Sequence, residues 1–98
     1  MLEIGSDNIF LLNRDIVLKA IGGENFYALD LSTGDHFKLN CTSYWILESL
    51  TTPMAFSFLQ YEFGHHFCIP ESQAAEDLYE VVMFAVNNNI LKEVKDEE

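Results

Sequence analysis

The chain has 98 residues, 49% of them hydrophobic, so it makes one small domain with a modest core rather than two domains or a disordered chain. Its 16 acids against 5 bases give a formal net charge of -11, which repels phosphate backbones and argues against nucleic-acid binding. Two cysteines make no disulfide framework, no basic segment precedes an apolar stretch as in a signal peptide, and no apolar run approaches the roughly 18 residues of a membrane span. Together these features point to a cytoplasmic protein with reduced thiols.

Met1–Asn13 is mixed, with an apolar patch at Ile9–Leu12 that reads as a lead-in strand or an ordered arm. Arg14–Ile21 is β-branched and aliphatic, which predicts a strand. Gly22-Gly23-Glu24-Asn25 is a turn, and Phe26–Leu31 is the next strand, with Tyr27, Leu29 and Leu31 on one face. Ser32–Asp35 turns the chain again, Gly34 suiting a positive φ. His36–Leu39 is the third strand, with Phe37 and Leu39 on one face and His36 and Lys38 on the other. Connections this short make an antiparallel meander.

Asn40 is a predicted N-cap for a helix of about three turns that carries Tyr44 through Leu50. Thr52 and Pro53 suit the N-cap and first position of a second helix, Met54–Phe63, which Gly64 should end. His65–Pro70 then reads as a connector. The last and longest helix begins at Glu71 or Ser72 and runs to about Asn88, with Ala74, Ala75, Leu78, Val81, Val82 and Ala85 as its core stripe. Asn87-Asn88-Asn89 stops it, Ile90, Leu91 and Val94 anchor the exit, and Lys92–Glu98 reads as a solvated, acidic tail. The order β-β-β-α-α-α, with room for an extra N-terminal strand, defines an α+β domain with helices on one side of a meander.

Specific residues in this order carry a family likeness. Ser32-Thr33-Gly34 precedes a strand that ends in Leu39-Asn40, and Trp45-Ile46-Leu47-Glu48-Ser49-Leu50 follows. After a Thr/Pro break come Asp77-Leu78, Val81-Val82, Ala85 and Ile90-Leu91 at matching spacing. In this set the chain resembles the pyrroloquinoline quinone synthesis protein D family, whose members are also called RiPP recognition elements. The likeness covers roughly Ile16–Val94, or nearly the whole domain, within a core of about 14–94. The chain departs from the family at Asn89, where Gly is frequent, and in a second helix that is more aromatic and less charged than usual.

The resemblance implies a winged helix-turn-helix-like domain, spanning residues 1–98 as a single unit, that binds the leader segment of a ribosomally made precursor peptide. In the family the leader adds as a strand to the edge of the third strand and lies in the groove between that strand and the last helix. The domain then presents the precursor to a modifying enzyme, such as a radical-SAM protein, a cyclase or a leader peptidase. The chain itself would be neither an enzyme nor the holder of a cofactor.

Carried onto this sequence, the leader site comprises His36, Phe37, Lys38 and Leu39 from the strand. At 100° per residue the last helix puts Asp77, Val81 and Phe84 along one flank and Tyr79, Met83 and Val86 along the other. The first flank is the better match, because Asp77 corresponds to an acidic position recurrent in the family. Core packing of both flanks is the competing expectation for each residue taken singly. The strand edge has no proline to block pairing, and it can equally pair with a second copy to form a homodimer.

Other constellations weigh less. His65-His66-x-Cys68, with His36 and Cys41 elsewhere, lacks the convergent spacing of a zinc site, so no metal is expected. Cys41 at a helix start reads as a structural thiol, and no paired carboxylates or phosphate-cradling glycines appear. Between Thr51 and Ile90 there is no Lys or Arg, so the last two helices make a poor DNA reader. The alternative to a leader-binding adaptor is a winged-helix regulatory or assembly subunit that binds another protein through the aromatic second helix.

Overall fold

The computed structural model of the protein describes Gly5 and residues 7–94. Among these residues it has an α+β fold of six strands and three helices: β1 Ile9–Leu12, β2 Ile16–Ile21, β3 Asn25–Asp30, β4 His36–Leu39, α1 Cys41–Ser49, β5 Met54–Ala55, α2 Phe56–Phe67, α3 Glu71–Asn87 and β6 Leu91–Val94. The strands form two antiparallel three-stranded sheets, ordered β2-β3-β4 and β5-β1-β6.

The meander β2-β3-β4 follows the sequence pattern closely. Gly34 takes φ 84 in the turn before β4, a conformation that costs other residues a steric clash. In β3 the inward face is Phe26, Ala28 and Asp30, so Tyr27 and Leu29 point away from the helices and Leu31 is 61% exposed beyond the strand. Asn40 caps α1 by accepting from the Ser43 amide at 2.7 Å. Phe26 stacks on Tyr44 at 4.6 Å between ring centroids, which seats α1 on the inner face of the meander.

A second sheet adds to the expected meander and makes a strand of the Ile9–Leu12 lead-in. Ile9–Leu12 is its central strand, with Ile9 opposite Ala55 on one side and Val94 on the other. Phe10 is buried at 1% exposure, so the core reaches upstream of residue 14. Lys92–Val94, assigned from sequence to a solvated tail, are part of β6; the rest of that tail, residues 95–98, lies outside the described residues. Pairing between segments 44 to 85 residues apart leaves no local pattern to read, because each strand is only two to four residues long.

The same sheet moves the start of α2. Thr52 and Pro53 do not cap it; Met54 and Ala55 pair with β1, and α2 begins at Phe56, whose amide donates to the Asn8 carbonyl at 2.8 Å. That long-range bond satisfies one of the first-turn amides that a local cap would otherwise serve. Nor does Gly64 end the helix. The helix continues through His65 and His66 to Phe67, and Cys68 takes the left-handed position with φ 55. Trp45 explains the extra turn: its indole packs on Phe63, His66 and Phe67 at 5.8, 4.9 and 5.7 Å. The expected connector therefore shrinks to the few residues around Ile69.

Helix α3 and its exit match their spacing. Ala74, Leu78, Val82 and Ala85 are buried, whereas Ala75 and Val81 are only half-buried at the margin of the stripe. Asn89 takes φ 61, and the Ile90 amide then bonds the Ala85 carbonyl at 2.8 Å. Phe10→Ala is expected to lower stability by about 3–5 kcal/mol, the usual cost of emptying a buried aromatic site, as measured by urea unfolding.

Candidate functional site: the free edge of the meander and its groove

Strand β4 pairs with β3 and, among the described residues, with nothing on its other side. The hydrogen-bond parity along β3 shows which groups are free. The Asp30 amide bonds the Asp35 carbonyl at 2.9 Å, and the Leu31 amide bonds the Asp15 carbonyl at 2.9 Å. Antiparallel partners alternate between bonded and non-bonded pairs. Even-numbered residues of β3 therefore bond toward β4, and odd-numbered ones toward β2. By the register Phe26 opposite Leu39 and Ala28 opposite Phe37, the main chains of Phe37 and Leu39 are used inside the sheet. Those of His36 and Lys38 face outward along the open edge.

Side chains on β4 divide the same way. Phe37 and Leu39 point inward, Leu39 being 6% exposed, while His36 and Lys38 lie on the outer face. The Lys38 ammonium is 3.4 Å from the Asn25 carboxamide oxygen and 5.6 Å from the centroid of the Tyr27 ring. Phe37 meets Phe84 of α3 edge to face, with centroids 6.0 Å apart at 84°. This contact brings the strand and the helix flank together.

Beside that contact runs a groove of about 270 Å³. Buried Leu39, Leu47 and Ala85 form its floor, half-buried Val81 supplies apolar surface, and Phe84, 48% exposed, forms a wall. Lys38, Asn40, Ser43 and Glu80 complete the lining. Of the residues expected from sequence, Lys38, Leu39, Val81 and Phe84 line this groove, and Phe37 backs it through Phe84. His36 contributes main chain at the open edge, with its side chain exposed. Asp77 does not line the groove; it sits one turn earlier on α3, accepting from the Gln73 carboxamide at 2.9 Å.

Asn40, Ser43, Leu47, Glu80 and Ala85 were not singled out as site residues from sequence. Glu80 stands three residues after Asp77 and four before Phe84, so the helical spacing that grouped those two also admits it. Ser43 and Leu47 are likewise four apart on α1, but only the packing of α1 under β4 shows that their stripe faces the groove.

The turn that delivers β4 rests on Asp30. Its carboxylate accepts from the Ser32 hydroxyl at 2.7 Å and the Ser32 amide at 2.9 Å. The Ser32 hydroxyl holds the Asp30 carboxyl below its ordinary value; burial opposes this, and the Ser32 and Thr33 amides with the Thr33 hydroxyl add to the lowering.

A larger cavity, about 480 Å³, lies at the end of α2 among Tyr61, Gly64, His65 and Cys68, away from the open edge. Cys41 and Cys68 are free thiols. Among the described residues no group of three His, Cys, Asp or Glu side chains could hold a metal ion, and no helix is long and apolar enough to cross a membrane.

No family model matches the sequence, and neither does any curated protein. The fold does match a solved structure, TbiB1 in complex with the TbiA(beta) leader peptide, with a TM-score of 0.66. The match covers 88% of this chain and 99% of that one, at 19% sequence identity. The chain therefore shares the α+β fold of TbiB1 over nearly the whole of that protein.

Two measurements check this geometry. In hydrogen exchange the His36 and Lys38 amides should exchange faster than those of Phe37 and Leu39, as expected of open-edge groups. The Asp30 carboxyl, lowered in the folded state, stabilises the fold above its unfolded value of about 3.8, and that contribution is lost as pH falls through the folded value. Asp30→Asn should remove this step from the acid-unfolding profile.

Proposed function

We propose that the protein is a RiPP recognition element: a non-catalytic adaptor that binds the leader segment of a ribosomally synthesised precursor peptide. The leader adds as a strand to the open edge of β4 and lays alternate side chains into the groove against α3. The observation that carries this reading is the open edge itself, with the outward main chains of His36 and Lys38 beside a preformed groove. Main-chain bonds give such a site affinity, and side-chain pockets give it selectivity. The likeness in fold to TbiB1, solved with a leader peptide, supports the same reading.

In this role the whole chain acts as one recognition domain in the cytoplasm. It presents the precursor to a modifying enzyme, whether a radical-SAM protein, a cyclase or a leader peptidase, and needs no cofactor. The helices carry no Lys or Arg, which speaks against a nucleic-acid partner for the same fold. Pairing of two β4 edges in a homodimer would occupy the leader site, so it competes with binding. The alternative of a regulatory or assembly subunit draws on α2, where Phe58 and Tyr61 are 53% and 60% exposed.

Titration with the leader of the precursor encoded nearest to this gene, followed by backbone amide shifts, tests the proposal. The His36–Leu39 and Val81–Phe84 signals should move, and Phe84→Ala should weaken binding by roughly tenfold or more, the loss typical of a central aromatic anchor. Shifts confined to α2 would favour the alternative.

A further inference from the structure

The groove has a charge as well as a shape. Resting on the peptide-docking reading above, we propose that its guest is a basic peptide, an extended segment with an apolar side chain and a Lys or Arg that meets Glu80. A strand bonded to the His36 and Lys38 main chains directs every second side chain to the inner face, over the apolar surface beside Phe84. Glu80 lines the same groove and, among the described residues, has no hydrogen-bond or ion-pair partner.

Among the described residues nothing basic neutralises it. The ammonium of Lys38 is turned to Asn25 and Tyr27 on the outer face of the meander. From Cys41 to Asn87 the helices hold no Lys or Arg, whereas Asp77 adds a second carboxylate on the same flank of α3. An acidic guest strand would be repelled along its length, and a basic one drawn in.

For a guest strand that runs alongside α3, the spacing follows. Glu80 and Phe84 are four residues apart on α3, about 6 Å along the helix axis. Two residues of an extended strand span about 6.6 Å. The guest pattern is therefore an apolar residue and a base two positions apart, both on the inner face. The base lays its aliphatic stem along Val81 and its charged head on Glu80.

The test is selection from a random octapeptide display library against the wild-type protein and against Glu80→Lys, with folding of the variant confirmed by its amide spectrum. The expected result is enrichment of an apolar residue and a Lys or Arg two positions apart on the wild type, and of Asp or Glu at that place on Glu80→Lys. A synthetic copy of the enriched peptide should bind Glu80→Gln roughly 2- to 5-fold more weakly, as for an exposed ion pair, with the difference shrinking at high salt. Peptides that protect the His36 and Lys38 amides but show no preference for a base, or the same peptides on both proteins, would overturn the charge inference and leave strand addition standing. No enrichment, or enriched peptides that leave those amides unprotected, would overturn the docking reading and this inference with it.

Discussion

Phe37 and Phe84 meet edge to face at 6.0 Å, and that contact sets where the open edge of β4 stands relative to α3. Everything proposed for the groove depends on this arrangement. A strand edge alone offers main-chain bonds to any extended chain, including another copy of itself. Held against a helix flank, it leaves room only for inward side chains that fit the space beside the two rings. The contact is carried by partly buried rings, not by a charged pair, so salt leaves it largely untouched.

The position of α3 is in turn held from behind. Its stripe of Ala74, Leu78, Val82 and Ala85 is buried, and its exit through Asn89 runs straight into β6. There the chain pairs with β1, and the Asn13 amide bonds the Ile90 carbonyl at 2.9 Å just before β2 begins. The Leu12 amide bonds the Leu50 carbonyl at 2.7 Å, tying the end of α1 to the same point. The small second sheet thus clamps the termini of two helices and the entry to the meander. A rigid frame of this kind keeps a groove preformed, which lowers the ordering cost of binding.

The balance of forces at β4 is also informative. A four-residue edge with an exposed lysine is a weak invitation to indiscriminate pairing. The apolar area beside it is small, and one wall, Phe84, is already half in water. Affinity for a guest must then come from several modest terms acting together: a few main-chain bonds, one or two inward side chains and the charge on the flank of α3. In the proposed role, such a site suits transient docking better than a permanent interface.

The meander, the Asn40 cap, α3 and the strand edge were legible in the sequence, because each is written locally. Turn residues such as Gly34 demand one conformation, alternation separates Phe37 and Leu39 from His36 and Lys38, and 3.6-residue spacing marks the stripe of α3. The second sheet was not legible, since β1, β5 and β6 are short and pair with segments 44 or more residues away. Neither was the length of α2, where contacts from Trp45 override the signal of Gly64, nor the start of α2, where pairing to β1 displaces the Thr52-Pro53 cap. The site divides along the same line. Sequence by itself placed the strand edge and one flank of α3, including Val81 and Phe84. Only the tertiary structure left Asp77 outside the groove and brought Glu80, Ser43 and Leu47 into its lining, because the path of α1 and α3 past β4 is set by packing between elements distant in the chain.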